Sequence, residues 1–230
     1  MKYVTKTLFS VSVATCSMLV VAADAPSPIS GSLAFTSDYV FRGVSQTSRD
    51  PAVQGGLNYN HSSGFHANLW GSNLNIQSSH LEVDYTLGYG LTNGPISWDT
   101  SVGLYTYPGA PNALDYNFYE VSLSGAYDFG PAKISGGVWY SPDGMANEKK
   151  TSYFMIGLDA PLPNNFAFNA HIGRQNQEIN KDYVEWKAGI STQLMGLGVE
   201  LAYWDTDLKK ADCGSNNCDG RTLLTISKSF

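Results

Sequence analysis

The chain has 230 residues and little charge. Asp, Glu, Lys and Arg make up only 15% of it, well under the globular average of roughly 25%. Beyond its first residues it also lacks an apolar run of about 20, so a transmembrane helix is excluded there. Bases are scarce relative to acids, 14 Lys+Arg against 20 Asp+Glu, which argues against nucleic acid as a partner. Neither Gly-x-Ser-x-Gly nor His-Glu-x-x-His occurs, so the common hydrolase signatures are missing. What is present is Gly (23), Tyr (14) and an ordinary hydrophobic fraction of 43%. Few charges with many Gly and Tyr suit an outer-membrane β-barrel or a secreted β-sandwich.

The first residues point to export. Lys2 and Lys6 form a basic start, and 8–23 is apolar and small-residue rich. Val21 and Ala23 fit the small-residue rule before a cleavage site, with Ala22 as a second choice. Asp24, Pro26 and Pro28 follow at once and oppose a signal anchor. Cys16 follows Thr15 and precedes more apolar residues, a poor lipobox. The expected organisation is a signal peptide over 1–23 and one domain over 24–230. Removing Lys2 and Lys6 leaves 12 bases against 20 acids, a formal charge of −8.

A period of two dominates the rest. In 31–46, Leu33, Phe35, Tyr39 and Phe41 alternate with Ala34, Thr36, Asp38 and Arg42. The cleanest segment is 80–90, where Leu81, Val83, Tyr85, Leu87 and Tyr89 alternate with His80, Glu82, Asp84, Thr86 and Gly88. Similar patterns predict strands at 52–60, 65–73, 96–106, 117–127, 132–140, 152–160, 166–174, 183–192, 197–204 and 221–230. Short connections of turn composition fall at 61–64, 92–94, 128–131, 161–165 and 193–196. Mostly longer ones fall between, at 43–51, 74–79, 107–116, 141–150, 175–182 and 205–220. A sandwich has no reason to alternate its loop lengths. An outer-membrane barrel of about twelve antiparallel up-and-down strands does so by construction.

The apolar face should then meet lipid, with backbone groups paired around a closed ring. Tyr39, Tyr59, Trp98, Tyr119, Tyr127, Tyr140 and Tyr203 lie on it toward segment ends, as interfacial girdles would. Ser37-Asp38-Tyr39-Val40-Phe41-Arg42-Gly43-Val44-Ser45-Gln46 resembles the opening signature of the TorF porin family, also catalogued as the conserved Gcw_chp family. Residues 51–56 and 64–73 are similar to its next two blocks, and 227–230 to its ending. The resemblance implies an outer-membrane barrel of transport function and supplies no substrate and no catalytic residue. The terminal Phe230, with Leu224 and Ile226, suits recognition by the barrel insertion machinery. Lys228 departs from that pattern and should snorkel at the interface.

The inward face offers Asp38, Glu82, Asp84, Asp99, Glu120, Asp159, Glu185 and Glu200 against Arg42, Lys133 and Lys187. Eight acids over three bases predict a cation-preferring pore wall, unless internal pairing consumes them. Trp70, Trp139, Trp204, Tyr105 and Tyr183 share that face and would fill a narrow lumen or stack on a ring-shaped solute. His66 and His80 sit on facing strands near Ser72 and Asp84, a coincidence too common to define a hydrolase. Cys213 and Cys218 are expected to form a disulfide in the longest loop. Asp205, Asp207, Asp212 and Asp219 around them lack EF-hand spacing. No cofactor or metal is expected. The expected partners are outer-membrane lipid, the insertion machinery through the C-terminal strand, and small solutes. Oligomeric state is left open. The reading is a passive porin or channel. The alternatives are a non-conducting surface protein, structural or host-facing, and, more remotely, an outer-membrane hydrolase.

Overall fold

The structure is a computed structural model and describes residues 27–76 and 79–230. The expected signal peptide, with Lys2, Lys6 and Cys16, lies outside the described residues. Fourteen strands follow in chain order. β1 is Ile29–Thr36, β2 Val40–Phe41, β3 Val44–Ser45, β4 Ala52–Asn60, β5 Phe65–Ile76, β6 Ser79–Asn93 and β7 Ile96–Thr106. β8 is Phe118–Asp128, β9 Lys133–Ser141, β10 Thr151–Pro161, β11 Phe166–Gln177, β12 Tyr183–Leu194, β13 Leu197–Thr206 and β14 Arg221–Ser229.

Twelve of them close a barrel in the order β1-β14-β13-β12-β11-β10-β9-β8-β7-β6-β5-β4, each antiparallel to its neighbours, and β2-β3 stand apart as a small hairpin. Closure runs from Ser32 opposite Ser229 to Thr36 opposite Thr225. One further rung joins Gly31 and Phe230, whose amides donate to each other's carbonyls at 2.8 and 3.1 Å. A closed ring leaves no strand edge, the condition for a sheet surrounded by lipid.

The outer surface meets the same condition. Leu57, Leu87, Leu123, Ile156 and Leu201 are all more than half exposed. Soluble monomers rarely expose contiguous apolar patches beyond a few hundred Å², so this face belongs against hydrocarbon. Tyr59, Trp98, Tyr119, Tyr127, Tyr140 and Tyr203 also point outward. The Lys228 side chain turns along the barrel rim, and its Nζ donates to the Gly196 carbonyl at 2.9 Å, in the turn between β12 and β13.

The structure corrects the sequence reading in two places. The first strand does not run through 31–46. It ends at Thr36, where Ser37 Oγ accepts from the Leu224 amide and the chain leaves the wall. Tyr39 is therefore no girdle residue and is only 4% exposed. The second correction concerns 74–79, expected as a loop. β5 continues to Ile76 and β6 begins at Ser79, with a register shift between Asn73 and Ile76. Asn75 and Ser79 resemble loop composition, but Ser79 pairs with Ile76 across the strands, and the Asn75 amide donates to the Gln46 carbonyl at 2.7 Å. The other long connections share one end of the barrel, hereafter the loop end. The tight turns, the start of β1 at Ile29 and the terminal Phe230 share the other, the turn end.

Candidate functional site

Residues 37–51 fold inward from the loop end. Val40 pairs with Ser45 and Phe41 with Val44, so Arg42 and Gly43 form a two-residue turn. Both have positive φ, 47° and 81°, as a twist-matched tight hairpin requires. At Gly43 any side chain would also collide: a Cβ would lie 2.4 Å from Thr206 Cγ2 and 2.7 Å from Glu185 Cβ. The hairpin tip is thus pressed against the β12–β13 side of the wall.

The base of the hairpin is tied by Asp38. Its Oδ1 accepts from Ser45 Oγ at 2.6 Å and Thr47 Oγ1 at 2.7 Å. Its Oδ2 accepts from Arg221 at 3.0 Å. Arg221 also donates to the carbonyls of Asn217 and Asp219, and the Ser45 amide donates to the Asn217 carbonyl at 2.9 Å. Asn217 precedes Cys218, which is disulfide-bonded to Cys213 and fully buried. The last loop therefore packs on the hairpin rather than standing free.

The tip crosses the lumen. In the ring of twelve, β9 lies opposite β1. Arg42, carried out from β1, donates two hydrogen bonds to Glu120 on β8, at 2.9 and 2.7 Å, and one to Gln175 on β11 at 3.0 Å. Its guanidinium sits 4.4 Å from the Tyr153 ring centroid on β10. A bidentate carboxylate bond with aromatic stacking is the interaction a guanidinium makes best. Beside this latch, Tyr39 joins Ala52, Leu74, Tyr105, Tyr107, Tyr116 and Phe118 in a small buried core. Tyr105 stacks on Phe118 with centroids 4.5 Å apart.

Most of the acids named from the sequence are paired. Asp99 meets His66 Nε2 at 2.6 Å, and Glu200 meets Lys187 at 2.8 Å. Glu185 meets His171 at 3.0 Å and accepts the Tyr153 hydroxyl. Asp159 lies 3.7 Å from Lys133. Glu120 is held by Arg42 and Asp38 by Arg221. The ratio of eight acids to three bases is thereby corrected: Arg221 is a fourth base, and two histidines supply further partners. Arg221 could have been found, since it shares a face with Leu223 and Thr225, opposite the outward Leu224 and Ile226. Glu82 and Asp84 have no basic partner among the described residues. Trp139, Tyr105 and Tyr183 are buried, and Trp70 and Trp204 partly so.

The other groupings set aside in the sequence are held in separate contacts. Ser72 donates to the Asn73 carbonyl, and His66 bonds Asp99, so they form no nucleophile–base pair. Asp205 accepts from Tyr203, Asp207 from the Val184 amide, and Asp212 from Lys181 and the Lys209 amide. The Lys181 ammonium beside it holds the Asp212 carboxyl below its usual range. No group of three or more His, Cys, Asp or Glu among the described residues converges to hold a metal.

Closed wall, lipid-suited exterior and charged interior define a porin-like transmembrane β-barrel. The chain belongs to the family described as "Bacterial protein of unknown function (Gcw_chp)", which matches residues 21–230. The fold is similar to that of KdgM porin, with a TM-score of 0.61 at 9% identity, covering 87% of this chain and 99% of that one. It is also similar to NanC porin, with a TM-score of 0.57 at 8% identity, covering 86% and 97%. KdgM porin in complex with disordered oligogalacturonate gives 0.58 at 10% identity, covering 88% and 98%. No curated protein matches the sequence.

Proposed function

We propose that the protein is an outer-membrane porin or channel for the passive passage of small solutes, with a preference for cations. The observation that carries this is the inward hairpin. It spans a polar lumen and reaches the far wall through Arg42–Glu120, as a constriction element must. The proposed pore lining is Asp38, Arg42, Glu82, Asp84, Asp99, Glu120, Lys133, Glu185, Lys187 and Glu200. The TorF name, the leader over 1–23, the domain over 24–230 and insertion through the C-terminal strand belong to the same proposal.

Cation preference now rests on fewer groups than the raw count. Paired acids contribute little field, whereas Glu82 and Asp84 are uncompensated, and fixed carboxylates in a confined pore favour cations. The KdgM complex holds an oligogalacturonate, a polyanion. An acidic wall does not support the same cargo here.

The test is conductance in a planar bilayer with a salt gradient. A cation-selective reversal potential at low salt, fading above about 0.1 M as screening sets in, is the expected result. Anion selectivity would overturn the charge argument. A second reading, a closed surface protein, is favoured by the buried aromatic core at the loop end. A folded barrel that never conducts would select it.

A further inference from the structure

Glu82 and Asp84 are left over when the ion pairs are made. They are two apart on β6, hence on one face. Glu82 is 2% exposed. Its Oε1 accepts the Tyr107 hydroxyl at 2.9 Å, but its Oε2 has no hydrogen-bond partner among the described residues. Asp84 Oδ1 is buried and equally unpartnered, while the residue as a whole keeps some exposure. The guanidinium of Arg42 is committed to Glu120. Burying carboxylate oxygens without donors is costly, and a cation placed between them removes that cost.

The surroundings select the kind of cation. Asp84 stands directly across from Trp70 on β5 and Tyr105 on β7. Cross-strand neighbours place their side chains about 5 Å apart at Cβ. The Tyr39 ring from the hairpin is 5.3 Å from that of Trp70. Aromatic faces attract organic ammonium groups. Ca²⁺ takes six to eight oxygen ligands, and no group of three or more His, Cys, Asp or Glu among the described residues could hold a metal ion.

We propose that Glu82 and Asp84, with Tyr39, Trp70, Tyr105 and Tyr107 around them, form a binding site for a small organic ammonium ion inside the barrel. The site rests on the channel reading and names the solute class which that reading leaves open. The hairpin contributes Tyr39 to one wall of the site, which sits against Trp70 of β5.

The test is isothermal titration of the full-length barrel in detergent with tetramethylammonium chloride. Sodium chloride at matched ionic strength and neopentanol, an uncharged molecule of similar shape, serve as controls. Saturable binding of tetramethylammonium alone is expected. Asp84→Asn should weaken it at least about tenfold, and Trp70→Leu should weaken it in the same direction. The heat-modifiable gel shift reports whether each variant is folded. Should Asp84→Asn not fold, Trp70→Leu and the wild-type controls still decide. No saturable binding, equal binding of neopentanol, or binding that survives in the folded variants would overturn the site. Conductance separates the two proposals. A conducting barrel that binds no ammonium removes the site and keeps the channel. A binding barrel that never conducts does the reverse.

Discussion

The two halves of the lumen are built differently. At the loop end, buried charges hold the hairpin: Arg42 makes two hydrogen bonds to Glu120 across the barrel, and Arg221 makes one to Asp38 from the adjacent strand. Toward the turn end, His66–Asp99 is buried, 8% exposed on each side, but another pair is local and wetter. Lys133 and Asp159 are cross-strand neighbours on β9 and β10, 3.7 Å apart, with side chains 20% and 35% exposed. Between these extremes, Lys187 and Glu200 are 2.8 Å apart with side chains 2% and 14% exposed. The first arrangement fixes a mobile kind of element, a hairpin, to a rigid wall. The second only neutralises a wall already held by its own ladder. The loop end should therefore control passage, and the turn end should be energetically tolerant.

The largest expected effect breaks the hairpin latch. Arg42→Ala leaves Glu120 buried without its cation, and removing one partner of a buried pair costs about 3–5 kcal/mol. That cost falls on hairpin docking, since neither residue's loss removes a barrel rung. Single-channel conductance should rise, and hydrogen exchange over 38–47 should speed up. Unchanged conductance would show that the hairpin does not set the constriction.

Asp38→Asn comes next. It keeps the shape but removes the charge facing Arg221 and weakens bonds from Ser45 and Thr47. Weakening buried charge-assisted hydrogen bonds costs about 1–3 kcal/mol. Protease cleavage within 38–47 should increase while the heat-modifiable gel shift of the barrel persists. Loss of that shift would mean that the hairpin base holds the wall as well.

The loop disulfide should have a smaller and indirect effect. Chain-entropy reasoning gives about 2 kcal/mol for so short a loop. Cys213→Ser with Cys218→Ser should leave the barrel inserted. Because Asn217 accepts from Ser45 and Arg221, exchange should rise in the hairpin as well as in 207–220. Protection lost in the loop alone would uncouple the two elements.

The same comparison explains what the sequence revealed. β4 and β7 have the bounds that alternation predicts, 52–60 and 96–106, because lipid outside and polar lumen inside force a strict period of two. The hairpin escaped because it is extended too, so Tyr39 and Phe41 continued the rhythm of Leu33 and Phe35 after the chain had left the wall. Gly43 after a polar residue was the available sign of a tight turn. Glu120 and Gln175 lie 78 and 133 residues from Arg42, and no local pattern encodes a contact across a barrel. Asp159, at the turn end, is the opposite case: its partner Lys133 stands in register on the neighbouring strand.

The smallest effect tests the tolerant half. Asp159→Asn removes the acid from a partly exposed pair, and such pairs contribute about 0–1 kcal/mol. The substitution should leave urea stability within that range and conductance unchanged. Lys133 retains other interactions, including the field of Asp128 opposite it, so it is not stranded. Lys133→Glu is the sharper variant, because it changes the local charge by two units at the turn-end rim. If passage is controlled at the loop end, its reversal potential should move less than that of a Glu82→Gln, Asp84→Asn double variant. Larger movement from Lys133→Glu would place the selective region at the turn end and reverse the comparison.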